Sequence, residues 1–165
     1  MRQKPRYPRA CSYYIPVSED NYEWVLCWNE GLSEPIWSPR RQVPVGGIKI
    51  GKPGMDYPNP VDYQQVEAML THFNRSHWLP ICLDHEGYLL DGQHRLQVCR
   101  RKGLLLVDAI VQCADHERIR HEARERRAEE EKQRKHKRRD IFGNWLTKAE
   151  WKEQYGTARG LDYNQ

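Results

Sequence analysis

Residues 79–103 read LPICLDHEGYLLDGQHRLQVCRRKG: two short apolar runs, each followed by a polar turn, and then a helix-like run. The turn residues Asp84–Gly87 predict a hairpin between the two apolar runs. Gly103 is placed to end the helix, after basic residues that suit the negative end of its dipole. Leu104–Val111 then reads as a largely buried strand. The predicted order is strand, turn, strand, turn, helix, strand.

The pentapeptide Asp91–Arg95 forms the second turn and opens the predicted helix. A glycine-containing turn at a helix start leaves unpaired N–H groups, and the helix dipole adds positive potential there. His94 and Arg95 add side-chain donors at the same end. This combination predicts a site for phosphate or another anion. The alternative is a solvated turn, because Asp and Gly favour turns for local reasons alone.

The stretch from about Val43 to Gln112 resembles the ParB/sulfiredoxin-type domain. The resemblance rests on Val43-Pro44-Val45, Trp78-Leu79-Pro80-Ile81, Gly87-Tyr88-Leu89-Leu90 and above all Asp91-Gly92-Gln93-His94-Arg95. It implies a small α+β domain, a mixed sheet with helices, whose phosphate-binding turn faces a nucleotide.

Two departures from the family pattern narrow the function. Gln93 stands where sulfiredoxins have a catalytic cysteine, which argues against sulfinic-acid repair. Partition-type ParB proteins usually carry an acidic residue and two arginines where this chain has Gln93, His94 and Arg95, which puts CTP hydrolysis in doubt. The Asp-Gly-x-His-Arg form is closer to free-serine kinases and to ParB-like proteins of mobile elements.

The resemblance also implies roles for individual residues. Gly92, Gln93, His94 and Arg95 would bind phosphate, and Asp91 and His94 would be catalytic if the protein is an enzyme. Asp91 would act as a base or hold Mg²⁺, so the implied cofactor is ATP or CTP with Mg²⁺. Asp56 and Asp62 are possible second carboxylates. Asp62, with Gln65 three residues later, also fits the N-cap of a helix.

The composition of the sequence divides the chain into four predicted parts. They are an aromatic and proline-rich extension (1–42), the ParB/sulfiredoxin-like domain (43–113), a long charged helix (114–140) and a short amphipathic C-terminal helix (141–165). The alternation in Tyr22–Trp28 predicts a strand, followed by a turn at Asn29–Gly31. The aromatic side chains of this extension either pack on the domain or form a surface on which bases or a partner stack.

The charged part has mixed signs at helical spacing, which favours a solvated helix. Its end, residues 132–139, carries basic residues and no acid. It is either a solvated helix end or a contact for nucleic-acid phosphates, and the candidates for that contact are Arg134, Lys135, Lys137, Arg138 and Arg139. In the tail, Thr147 and Glu150 fit a capping box. The tail either folds back on the domain or docks a partner.

Composition excludes several classes of protein. The 165 residues carry a formal net charge of +4, which does not by itself require a nucleic-acid partner. No apolar run is long enough to span a membrane, and the basic N-terminus lacks the apolar stretch of a signal peptide. The five cysteines form no C-x-x-C pair, which favours reduced thiols in the cytoplasm over disulfides or zinc.

Two functions remain open. The first is a ParB-like nucleotide- or nucleic-acid-associated module of a plasmid, phage or other mobile element, which binds phosphate at the Asp91–Arg95 turn and DNA or a protein through its charged helix and tail. The second is a nucleotide-dependent phosphotransferase resembling free-serine kinases. The first is favoured, because a metabolic kinase has no need of a charge run followed by an apolar helix.

Overall fold

The protein has a mixed α+β fold, as predicted. The structure is a computed structural model that describes residues 10–54, 60–135, 137–139 and 142–155. The chain divides into two compact units, Met1–Ile119 and Arg120–Gln165. The helices are α1 (Glu19–Leu26), α2 (Tyr63–Thr71), α3 (Gln93–Arg101), α4 (His116–Lys135) and α5 (Lys148–Tyr155). The strands are β1 (Trp37–Pro44), β2 (Ile81–Leu83), β3 (Leu89–Asp91), β4 (Leu106–Gln112), β5 (Lys137–Arg139) and β6 (Trp145–Thr147).

The first unit is built on a four-stranded mixed sheet in the order β1-β4-β2-β3. β4 pairs antiparallel with β1 and parallel with β2, and β2 pairs antiparallel with β3. The parallel pair requires a crossover connection, which the β3 strand and α3 provide. The predicted hairpin, helix and strand of residues 81–112 are therefore confirmed. The core that they share comprises Ile81, Leu83, Leu96, Val98, Cys99, Val107, Ala109 and Ile110.

The segment Tyr22–Trp28 is helical, so the strand predicted there is wrong. Ser18 caps α1 by accepting a hydrogen bond from the N–H of Asn21, and Tyr22 and Val25, three residues apart, are its buried residues. A strand would have buried alternate residues instead. The turn expected after it is present, since Gly31 has a φ of +74°.

Asp108 in β4 joins the N-terminal segment to the sheet. Its buried carboxylate accepts four hydrogen bonds, from Tyr14 Oη (2.7 Å), Val17 N (2.8 Å), Arg41 Nη1 (2.7 Å) and Gln42 N (3.0 Å). Burial, followed by the hydrogen bond to Asp108, raises the pKa of Tyr14. A buried carboxylate with this many donors is fully satisfied, so we assign the cluster a structural role.

The second unit contains most of α4, the ribbon β5–β6 and α5. The charged helix ends at Lys135, and Lys137–Arg139 pair antiparallel with Trp145–Thr147. The expectation of a helix up to residue 140 is thus wrong for this segment. The predicted capping box is confirmed, since Thr147 N donates to Glu150 Oε2 at 2.6 Å and Glu150 N donates to Thr147 Oγ1 at 3.3 Å. Among the described residues, no helix is long and apolar enough to cross a membrane.

Candidate functional site

Gly92 shapes the turn between β3 and α3. It caps α3 with φ 102° and ψ 26°, a left-handed conformation that L side chains rarely adopt. A Cβ added here would lie 2.8 Å from Ile81 Cγ2 and 3.1 Å from Arg95 Nη2. Ile81 is completely buried in β2. The turn therefore depends on glycine for both its backbone conformation and its close contacts.

The absence of a side chain on Gly92 also leaves the start of α3 without a side-chain cap. The first N–H groups of a helix have no partner within the helix. Those of Gln93, His94 and Arg95 belong to this first turn, where the helix dipole places partial positive charge. The backbone at the start of α3 thus has N–H groups without a partner inside the helix and without a side-chain cap.

Arg95 lies against this helix start. Its side chain is 19% exposed, and its Nη2 is 3.2 Å from the Oδ2 of Asp91, whose side chain is 59% exposed. The Nε atom of Arg95 is buried, and no described residue accepts a hydrogen bond from it. A buried cationic donor without a partner is costly, so an acceptor supplied from outside would stabilise this arrangement.

His94 connects the turn to the start of α2. Its Nε2 accepts a hydrogen bond from the backbone N–H of Asp62 at 3.0 Å. A ring nitrogen that accepts cannot carry a proton, so in this arrangement the proton of the neutral ring is on Nδ1. The hydrogen bond brings the N-terminal ends of α2 and α3 close together.

Of the two candidate second carboxylates, Asp62 and Asp56, the structure describes only Asp62. Asp62 caps α2, as predicted, because its Oδ1 accepts from the N–H groups of Gln64 (2.9 Å) and Gln65 (3.4 Å). The contact between Asp62 N and His94 also places this residue beside the turn. Asp56 lies outside the described residues.

Asp91 is a candidate carboxylate ligand for a magnesium ion at this site. No group of three or more His, Cys, Asp or Glu side chains that could hold a metal ion occurs in the described part of the chain. Mg²⁺ commonly takes one or two carboxylates and completes its coordination with water and phosphate oxygens. The single exposed carboxylate of Asp91 fits that pattern when a nucleotide supplies the remaining oxygens.

A second charged cluster lies at the other end of the β2–β3 hairpin, and no local sequence pattern predicts it. Lys52 Nζ is 2.8 Å from Asp84 Oδ2 and 2.6 Å from Glu86 Oε2. Burial acts to raise the pKa of Asp84, but the hydrogen bonds from Lys52 and from the N–H groups of Tyr88 and Glu86 lower it overall. All these groups are paired, so the cluster fixes the hairpin turn.

The candidate nucleic-acid residues lie in the second unit. Arg134 and Lys135 are the last residues of α4, and Lys137, Arg138 and Arg139 form β5. The guanidinium of Arg134 lies 5.6 Å from the centre of the Trp145 ring, a cation–π distance. The basic segment is thus split between the end of a helix and a strand, where the sequence predicts a continuous helix.

Comparison with known proteins gives matches only among solved structures. No protein-family model matches the chain, and no curated protein matches it. Two structures of pNOB8-like ParB N-domains are similar to it, at 12% and 14% sequence identity and TM-scores of 0.38 and 0.37. Both similarities cover 71% of this chain and 56% and 59% of the respective structures, so the chain spans less than two thirds of their length. The similarity concerns fold alone.

Proposed function

We propose that the protein is a ParB-like module whose Asp91–Arg95 turn binds the phosphate groups of a nucleotide or nucleic acid. The resemblance of its motif suggests a plasmid, phage or other mobile element as the setting. The observation that carries the proposal is the buried Nε of Arg95, which lacks an acceptor beside an uncapped helix start. A phosphate oxygen would supply that acceptor and would also bind the free N–H groups of α3.

The other residues of the turn would have complementary roles. The Nδ1 of His94 would donate a hydrogen bond to the phosphate. The side-chain amide of Gln93, the first residue of α3, would also reach the phosphate. Asp91 repels phosphate unless a cation lies between them, so we expect Asp91 to act through Mg²⁺. Binding would then be stronger with Mg²⁺ than without it.

Calorimetric titration with ATP, ADP and CTP, with and without Mg²⁺, tests this proposal. Arg95→Ala should weaken binding about 10- to 100-fold, since hydrogen bonds to charged groups contribute about 1.5–3 kcal/mol. Arg100→Ala is the matched control, because Arg100 is an exposed arginine later on the same helix. Far-UV circular dichroism checks that both variants fold. Equal affinities of the wild type and the folded Arg95→Ala protein for all three nucleotides would refute the phosphate site.

Phosphoryl transfer is a second candidate, and the hydrogen bond between Asp62 N and His94 favours it. This contact puts Asp62 next to His94 of the turn, and the kinase resemblance implies an acidic residue near this helix, which supports the proposal. In that case Asp91 would orient or deprotonate the acceptor, and the turn would hold the nucleotide. Incubation with ATP or ADP and free serine, followed by ³¹P NMR, would reveal phosphoserine. Product formation that Asp91→Asn abolishes would support the kinase, and nucleotide binding without product would support the binding module.

We further propose that the basic segment, Arg134, Lys135, Lys137, Arg138 and Arg139, binds DNA or an acidic protein partner. Each neutralised phosphate contributes to the dependence of DNA affinity on salt. Replacing Lys135, Lys137, Arg138 and Arg139 with glutamine should therefore reduce the slope of log affinity against log salt. The control replaces four exposed basic residues earlier in α4, namely Arg120, Arg124, Arg126 and Arg127. An equal slope in both variants would assign the segment to solubility.

A further inference from the structure

Three tryptophans form a row on the surface of the first unit. The ring centres of Trp24 and Trp28 are 6.5 Å apart and those of Trp28 and Trp37 are 6.0 Å apart, with interplanar angles of 62° and 71°. These are edge-to-face pairs. Trp24 is 59% exposed and Trp28 47% exposed, whereas Trp37 is partly buried. We call Trp24, Trp28 and Trp37 the tryptophan row.

The tryptophan row is held rigidly. Asn29, directly after Trp28, accepts hydrogen bonds from the N–H groups of Ile36 (2.8 Å) and Trp37 (2.9 Å) through its Oδ1. Its Nδ2 donates to the carbonyl of Trp37 at 2.8 Å. Three hydrogen bonds from one side chain thus fix the segment after α1 against β1. A pre-organised aromatic surface binds with a smaller loss of entropy than a mobile one.

The charge around the tryptophan row is opposite to that of the whole chain. Residues 18–37 contain five Asp or Glu and no Lys, Arg or His, while the chain has a formal net charge of +4. Glu19 pairs with Arg41, and Glu34 lies 3.4 Å from Arg118. Asp20, Glu23 and Glu30 are exposed, and within the described residues no ion pair is recorded for them. Asp20 lies one turn before Trp24 on the same face of α1.

We propose that the tryptophan row and its carboxylates bind a lysine- and arginine-rich segment of a partner polypeptide. Cations lie favourably over indole faces, and arginine also stacks on them. The apolar stems of both side chains cover ring surface while their charges reach carboxylates at the edge. Nucleic acid is the poorer occupant, because exposed carboxylates repel its phosphates. This proposal does not depend on phosphate binding at the Asp91–Arg95 turn.

Fluorescence polarisation with a labelled octapeptide of alternating arginine and lysine tests the proposal on the full-length chain. Trp24→Ala and Trp28→Ala should each weaken binding about fivefold, the ratio expected for an exposed cation–π contact of about 1 kcal/mol. Asp20→Asn and Glu23→Gln should also weaken peptide binding, and they should reduce the dependence of the affinity on salt concentration. Leu105→Ala, which alters an apolar side chain that is 65% exposed elsewhere in this unit, should bind like the wild type.

Controls separate this site from general attraction of cationic peptides. Glu129→Gln removes an exposed carboxylate on α4 and should leave affinity unchanged. An octapeptide of alternating glutamate and glutamine should not bind. Absence of peptide binding, or peptide binding that both tryptophan variants retain in full, would overturn the proposal. Tighter binding of single-stranded DNA than of the peptide at the tryptophan row would also overturn the proposal. So would a dimer, detected by sedimentation velocity, that Trp24→Ala dissociates.

Discussion

The Gly92→Ala substitution should destabilise the protein more than the same change at other glycines with positive φ. Two costs add at this position. Placing alanine at φ 102° costs about 1–2 kcal/mol. The new Cβ would lie 2.8 Å from Cγ2 of the buried Ile81, and accommodating an extra methyl group in a packed site costs about 1–3 kcal/mol. The expected loss in the free energy of unfolding is therefore about 2–5 kcal/mol.

Two other glycines separate these costs. Gly87 has a φ of +87° but nothing within 4 Å of an added Cβ, so Gly87→Ala should lose only about 1–2 kcal/mol. Gly46 has open space, and its φ is not in the left-handed region, so Gly46→Ala should gain about 0.4–1 kcal/mol. Urea unfolding followed by tryptophan fluorescence measures all three. Equal losses for Gly92→Ala and Gly87→Ala would show that the contact with Ile81 is not tight and would refute the packing argument.

Three further predictions concern buried groups of the first unit. Asp108→Asn should lower the free energy of unfolding by about 2–6 kcal/mol, because the amide nitrogen cannot accept the two hydrogen bonds that one carboxylate oxygen accepts and each donor left unpaired costs about 1–3 kcal/mol. Asp115→Asn at an exposed carboxylate should change it little in the same urea assay. Lys52→Met should destabilise the protein at pH 7, because it leaves the carboxylates of Asp84 and Glu86 without their cation. The destabilisation by Lys52→Met should shrink as the pH falls through the lowered pKa of Asp84, because the paired carboxylate stabilises the fold only while it is ionised. A destabilisation that is equal at pH 7 and pH 3 would contradict this cause. Burial raises the pKa of the Cys82 thiol to about 11, so Cys82 should react with Ellman's reagent only in urea. Rapid reaction of Cys82 in the native protein would contradict its burial.

The parts of the fold that sequence predicts well are those with local signals. The hairpin of β2 and β3 follows from apolar runs separated by turn residues, and α3 ends where Gly103 predicts. By contrast, the alternation of large side chains in Tyr22–Trp28 suggested a strand. The helix forms there because Tyr22 and Val25 bury one face and Ser18 caps it, while Trp24 remains exposed. Aromatic periodicity misled because two of these rings do not contribute to the core.

In the candidate site, too, the sequence predicts features that depend on neighbouring residues and does not predict contacts between distant residues. The sequence indicated the Asp91–Arg95 turn and the cap at Asp62, because both depend on residues a few positions apart. It gave no indication that Gly92 lies against Ile81 or that His94 accepts from the N–H of Asp62, because these contacts form only when separate elements pack. The partners of Asp108 were equally hidden, since no local pattern distinguishes a satisfied buried carboxylate from a strand interruption.

The connections to Asp108 have a consequence for synthesis on the ribosome. Tyr14, Val17 and Arg41 precede their acceptor by 94, 91 and 67 residues, so the N-terminal segment leaves the ribosome long before its binding site in β4 exists. At about 5–20 residues per second, the interval for Tyr14 is about 5–20 seconds. During that time Tyr14 and Tyr22, both buried in the folded protein, are without their hydrogen-bond acceptors in β4, Asp108 and Ala109. The aromatic N-terminal segment is therefore synthesised well before the strand that buries it.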